Sequence, residues 1–422
     1  MSTNCVATKQ LKQLGRAEEG QALVLGALAL VVLVLMAGLG VDVGFLRYEK
    51  QQMQKAADAA AMAGASALVY GGEVTVAARN DAAANGFTHG NKGIVVTVNN
   101  PPLNGPFTGL APYVEVIVAQ AQPTFFMRVL GSQFYGVNVS SRAVATSLAS
   151  SSGCIFALDP SDSATLRAEG AVGINSACGI RVNSTSESGL QVGGGNVSVS
   201  QGGIGVVADG YQHGGGTISP TPTTGIPPFG DPLAGVPAPP VDGNCNQKLL
   251  VTTPRSIPYG TYCGGIEIKT SGEVTFQAGT FVLLGGGLTV DSGYYPTMTG
   301  SNVTFYNTGN AGNPYGPIKL TASGSTVLSA PTSGPLSGIL FFQDRSIVST
   351  ATSYFDASRG EQYTGALYFP TTPVKYRGTK TFPPYTIIDA WTITMVDTAA
   401  INNNYSSLAG GASPIHSALL VE

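Results

Sequence analysis

Apolar and polar positions change their spacing twice along this chain. From Ala22 to Val41 there is no alternation: twenty successive residues carry no charge, and nearly all are apolar. As a helix rising 1.5 Å per residue, such a run is about 30 Å long, the hydrocarbon thickness of a bilayer. A helix satisfies its own backbone, so the run predicts a transmembrane helix over 20–44, preceded by a short segment, 1–19. Helical sequence then continues to Leu68 without a proline. Ala56, Ala60 and Gly64 recur every fourth residue, and so do Ala57, Ala61 and Ala65, which makes a smooth face. Small faces let a partner helix come close. The same alanines also suit a high-propensity helix packed on its own domain.

Beyond this helix the spacing shortens. Val74–Ala84 reads as a second helix, closed by Asn85-Gly86. Runs at Ile94–Val98, Tyr113–Ala119 and Val137–Ser147 read as strands, the second alternating clearly. Pro123–Leu130 looks like one or two helical turns between strands, with Phe125-Phe126 placed in a core. Residues 45–150 are thus expected to form a small α+β module whose first helix continues the membrane span.

From Cys154 onward a third rhythm takes over. The pairs Phe156/Leu158, Ile180/Val182 and Ile204/Val206 lie 24 residues apart, and Leu166/Ala168 precedes Leu190/Val192 by the same offset. Residues i and i+2 face one side of a strand, so each pair supplies two inward side chains. Such a repeat predicts stacked coils of a right-handed parallel β-helix over 151–422. Later pairs keep the pattern at unequal offsets: Ile266/Ile268 with Leu288/Val290, Val274/Phe276 with Val303/Phe305, Gly260-Thr261-Tyr262 with Gly279-Thr280-Phe281, and Gly338–Phe342 with Gly365–Phe369. Residues 214–243 carry eight prolines and read as an exposed excursion from one corner, after which the coils resume.

Composition narrows the functions. Eleven per cent of residues are charged and the net charge is −3, which gives no basis for nucleic-acid binding. Four of the five cysteines follow the apolar run, an even number that suits two disulfides in an oxidising compartment. Cys154 and Cys178 are 24 apart and therefore equivalent on adjacent coils, about 4.8 Å from each other, within disulfide range. Of three pairings, Cys154–Cys178 with Cys245–Cys263 is the one expected. Lys9, Lys12 and Arg16 before the span balance Arg47, Lys50 and Lys55 after it. Lysine and arginine counting therefore does not orient the chain. The cysteines and the Thr/Asn-rich bulk place the N-terminus in the cytoplasm and the C-terminal bulk outside the inner membrane. Asp42 reads as an interfacial residue at the membrane boundary.

Three short runs, Gly20-Gln21-Ala22-Leu23, Val41-Asp42-Val43-Gly44 and Gln54–Ala61, resemble the N-terminal region of TadG-like proteins of the Flp, or tight-adherence, pilus assembly apparatus. The resemblance covers about residues 16–67. It implies a prepilin-like membrane protein with an extracytoplasmic C-terminal region and pilus-assembly membrane proteins as partners, alongside the lipid bilayer. Prepilin processing signals place a glutamate five residues after the glycine; here Leu25 follows Gly20, so no cleavage is expected.

Some β-helices cleave acidic polysaccharides, using neighbouring carboxylates or calcium. Here Asp291, Asp344, Asp356, Glu361, Asp389 and Asp397 are scattered, and Asp344-Arg345 reads as a surface ion pair or turn. His89, His213 and His416 lack ligand spacing. The reading is therefore a non-enzymatic, membrane-anchored pilus component without cofactor, metal or nucleic-acid partner, displaying a β-helix for assembly or adhesion. An anchored polysaccharide lyase or hydrolase, and a pilus-independent adhesin that binds surface carbohydrate, are the alternatives.

Overall fold

The computed structural model describes residues 7–70, 72–149, 153–169, 173–243, 245, 247–291, 293–320, 324–378 and 383–422. Part of the expected 1–19 segment, residues 1–6, lies outside the described residues. The described residues form two compact units: those within 7–68, 73–147 and 418–422 make the first, and those within 69–72 and 148–417 the second.

In the first unit one long helix, α1 (Ala7–Val69), carries the apolar run and the alanine block without interruption. A second, α2 (Val74–Ala84), ends where the Asn85 backbone N–H donates to the Asp81 carbonyl and that of Gly86 to the Ala83 carbonyl. Strands β1 (Val95–Asn99), β2 (Tyr113–Pro123) and β3 (Gly136–Ala149) form an antiparallel sheet. A fourth strand, His416–Leu420, adds to the edge of β3. Its continuation is tied down by backbone bonds between Val144 and the last two residues and by an ion pair from Arg142 to Glu422 at 2.7 Å. The sequence reading misses this strand because a single terminal strand has no periodicity until its neighbour is known.

The six small residues of the alanine face follow the second of the two sequence readings, packing on their own domain and not forming the partner-helix face. Ala56, Ala57, Ala60, Ala61 and Ala65 are fully buried within the first unit, in a core with Ala78, Val96, Val114, Val116 and Ala143. Gly64 explains why the face must be small. A Cβ there would come within 2.9 Å of Val114 Cγ1, so helix and sheet touch at this point. The face is therefore occupied by the protein's own sheet rather than open to a partner helix. One correction concerns Phe125 and Phe126, expected in a core but 53% and 42% exposed.

The second unit is built of short parallel strands that pair across long sequence offsets. The first nine fall into triplets: β4 (Gly153–Ala157), β5 (Leu166–Glu169), β6 (Ile174–Ser176); β7 (Gly179–Val182), β8 (Leu190–Val192), β9 (Val197–Val199); β10 (Ile204–Val206), β11 (Gln212–His213), β12 (Ile218–Ser219). Each strand pairs in parallel with its counterpart in the next triplet. Inward side chains form one continuous core that runs from Ile204 through Ile180, Ile155 and Ile388 to Phe276 and Val251. Aromatic rings stack along it, Phe281 on Phe305 at 5.2 Å and Phe305 on Phe341 at 4.9 Å.

Register shows where the spacing of apolar pairs misleads. Ile266/Ile268 pairs with Leu288/Val290, and Leu166/Ala168 with Leu190/Val192, at the expected offsets. Phe156, by contrast, pairs with Arg181 and not with the expected Ile180; Ile155 faces Ile180 and Ala157 faces Val182. A bulge between Gly153 and Ile155 shifts the strand by one residue, and a one-residue slip exchanges the faces of a strand. Phe156 and Leu158 consequently point away from the core, into a second apolar cluster on the outer side of this sheet. Val274 pairs with Met298 and not Val303, and Gly260 pairs with Phe281 and not Gly279. Ile339 meets Ala366 as expected, and a bulge then moves Phe341 onto Leu367.

Strand order corrects the path of the chain. The ten-stranded sheet runs β11, β8, β5, then Ile393–Val396, and onward to Leu249–Val251 at its other edge. The first triplet therefore sits mid-sheet, with the second on one side and the last strands of the unit on the other. Strands after residue 243 do not resume beside those before 214; they restart at the opposite edge. Nine strand spacings of about 4.8 Å separate the two edges, roughly 43 Å. The proline-rich segment makes this crossing. Thr223 bonds to the backbone of Ile204 and Val206, Phe229 N–H donates to Asn183, and Leu233 and Val236 are buried in the outer cluster. It is a largely exposed strap that is held along the sheet at these points.

Candidate functional site: the apolar helix and a covered acid–arginine cluster

The apolar stretch of α1 is exposed along its length. Its most apolar window has a mean hydropathy of 2.9 and is 6% buried. Leu23, Leu28, Leu33 and Met36 are each more than 60% exposed, which no aqueous helix tolerates over such a length. One such helix near the N-terminus fits a single-pass membrane anchor. Asp42, at the end of the run, is buried. Its carboxylate accepts the backbone N–H groups of Phe125, Phe126 and Met127 at 2.9, 2.8 and 2.6 Å. At the boundary of the apolar run it therefore also serves as a structural acceptor for the β2–β3 connection.

The four cysteines pair as Cys154–Cys178 and Cys245–Cys263, with Cα separations of 5.5 and 5.6 Å. The first bridge joins β4, at its bulge, to the residue just before β7. The second joins the far end of the strap to the strand Gly260–Cys263.

One of the acids that the sequence leaves scattered gains a neighbour in the fold. Asp389 is fully buried, its carboxyl oxygens find no donor among the described residues, and the Asp231 carboxyl stands beside it. Burial, and then the charge of Asp231, push the Asp389 carboxyl well above the ordinary range, with Arg345 opposing. Tyr368 donates its hydroxyl to Asp231, and Arg345 Nε donates to the Tyr368 hydroxyl at 2.6 Å. Arg345 Nη2 also donates to the carbonyls of Leu233 and Val236, at 2.7 and 2.9 Å. Its guanidinium lies over the Phe342 and Tyr368 rings at 4.8 and 5.1 Å.

The expected Asp344–Arg345 pair does not form. Asp344 instead accepts from Thr308 and Ser346, as a turn residue does, and Arg345 reaches the strap. Asp356 and Asp397 are held by Arg377, and Glu361 accepts the backbone N–H of Arg359. Asp291 is near Lys269, at 3.4 Å. Of the histidines, His89 accepts from Val96 N–H, His213 lies at the exposed end of β11 against the Gly214 carbonyl, and His416 is stacked edge-on to Tyr70. Among the described residues no three His, Cys, Asp or Glu side chains gather as a metal site. Sequence reasoning misses Asp231 because it lies in the strap, 158 positions before Asp389. Its only local signal is that it and Asp242 are the two charges in an otherwise uncharged proline-rich run.

With the geometry in place, comparison with known proteins bears on α1 alone. Residues 20–67 match the family model described as putative Flp pilus-assembly TadE/G-like. No curated protein and no solved structure matches the chain. The match begins at the glycine opening the apolar run and ends in the alanine block, the same stretch that carries the resemblance in sequence. It takes in both halves of α1, one exposed and apolar, the other buried in the first unit, as one continuous length of helix.

Proposed function

We propose that this chain is a membrane-anchored component of Flp-type pilus assembly. In this reading α1 crosses the cytoplasmic membrane once, with its N-terminus in the cytoplasm, and presents both units outside. The family match over 20–67 is the observation that carries it. The parallel pairing of successive triplets, and the continuous inward core, support a right-handed parallel β-helix as the displayed part. Its role is structural or adhesive, and pilus-assembly membrane proteins are its partners. Because the alanine face is occupied, those partners are expected to meet the exposed sides of α1 in the membrane.

A non-enzymatic role is part of the proposal. Among the described residues Asp231 and Asp389 stand as neighbouring acids, as a hydrolytic pair would, but Asp389 is fully buried and Asp231 belongs to the strap beside it. General acid–base work needs a carboxyl within reach of substrate. The deciding experiment is affinity purification of the full chain from cells that make the pilus, after cross-linking in the membrane. Recovery of pilus-assembly membrane proteins, lost when the apolar run is exchanged for an unrelated span, supports the reading. Recovery of none, with surface display unchanged in cells lacking the pilus genes, refutes it and favours an independent adhesin.

A further inference from the structure

We propose that residues 124–135, which connect β2 to β3, enter the membrane beside α1 as a second, non-spanning contact with lipid. The inference rests on the reading of α1 as a membrane span. Between Ala22 and Leu46 the helix carries one charged residue, Asp42, and the connection is seated on it. The Phe126 ring packs against Gly38, where a Cβ would come within 2.6 Å of it. Phe125 meets Phe45 edge-on at 5.6 Å. Gly38 lies inside the apolar run, about 6 Å along the helix from Asp42. Whatever touches Gly38 is therefore at membrane depth.

The exposed side chains of the connection suit that depth. Val129 and Leu130 are 74% and 59% exposed, and Phe125 and Phe126 keep about half of their surface free beside the helix, an apolar patch with no covering element in the first unit among the described residues. The one charge in the connection, Arg128, lies 5.4 Å from the Tyr135 ring, the pairing of a cation and an amphipathic aromatic found at membrane surfaces.

A non-helical segment does not lie bare in the hydrocarbon, so the contact is with the interfacial layer, where paired backbone groups lower the cost of entry. Asp42 takes the N–H groups of Phe125, Phe126 and Met127, and Val129, Gly131, Phe134 and Tyr135 donate within the connection. The Thr124 hydroxyl closes the base by donating to the Phe134 carbonyl. Buried Asp42 thus has a purpose: it supplies the acceptor that lets three consecutive peptide groups leave water. Lipid is the occupant favoured, because the patch is continuous with the membrane surface of α1.

The test uses the full chain with Cys5→Ser, reconstituted alone into phosphatidylcholine vesicles. Single cysteines at Val129, Leu33 and Thr108 carry an environment-sensitive fluorophore. Thr108 lies beyond Tyr113, at the other end of β2, a strand about 33 Å long, and serves as the aqueous control. The fluorophore at Val129→Cys is expected to be quenched by brominated lipid, as at Leu33→Cys, and several-fold less by iodide than at Thr108→Cys. Iodide quenching at Val129 equal to Thr108, with Leu33 still quenched by lipid, overturns the proposal alone. Shielding from both quenchers at Val129 means protein covers the patch and also overturns it. Loss of lipid quenching at Leu33 overturns the membrane span and this inference with it. Leu130→Cys repeats the measurement if Val129→Cys does not fold.

Discussion

Replacing Asp389 with Asn should remove a pH dependence from the stability of the second unit. In the folded chain burial and Asp231 hold the Asp389 carboxyl well above its ordinary value of 3.8. The unfolded chain releases this proton near pH 4, while the folded chain keeps it. The folded state then binds more protons than the unfolded state, so stability falls as pH rises. The contribution is complete below the unfolded pKa and is lost progressively up to the folded one. One proton corresponds to about 1.4 kcal/mol for each pH unit in that window. Trp391, the single tryptophan, lies two residues away and packs on the outer cluster, so its fluorescence reports on this region. Guanidinium unfolding of the full chain in detergent, followed through Trp391 from pH 4 to 8, measures the slope. Asp389→Asn keeps the shape of the side chain and cannot ionise. Its profile should lack that slope, so the variant gains on the parent as pH rises. Parallel profiles for the two proteins would refute the assignment of a retained proton to Asp389.

Three further outcomes test other parts of the structure. Arg345→Met should free the strap by removing two charge-assisted bonds to carbonyls, with a loss of about 2 kcal/mol after allowing for partial exposure. Limited proteolysis should then cut within residues 224–242, and an unchanged digestion pattern would count against the strap. Ala60→Leu should destabilise the first unit by about 1–3 kcal/mol through overpacking, whereas an open partner face would tolerate it; thermal unfolding decides. Cys154→Ser with Cys178→Ser opens a loop of 24 residues and should cost about 3 kcal/mol, read by denaturant titration under non-reducing conditions.

The long apolar helix, the second helix and the three antiparallel strands are all legible in the sequence, because each depends on local spacing. Twenty uncharged residues need no partner to read as a span, and the alternation of Tyr113–Ala119 shows its buried side directly. The cysteine pairing is legible too, although the place of Phe156 is not: the bulge beside Cys154 puts Ile155 and Ala157 inward and turns Phe156 to the outer cluster. A bulge has no signature in a repeat, since it shifts register while leaving composition intact.

Tertiary structure alone decided what covers each surface. The alanine block has the same pattern whether it meets a partner helix or its own sheet, and only the approach of Gly64 to Val114 distinguishes them. The path of the proline-rich strap is hidden for a related reason. Equivalent strands look alike at any stacking position, so sequence cannot tell that residues after 243 restart at the far edge. Asp231 meets Asp389, and Asp42 meets Phe125, across separations of 158 and 83 residues. Local spacing sets which elements form. Which of them meet is set by packing and by the need of each buried polar group for a partner, and these become visible only when distant segments are brought together.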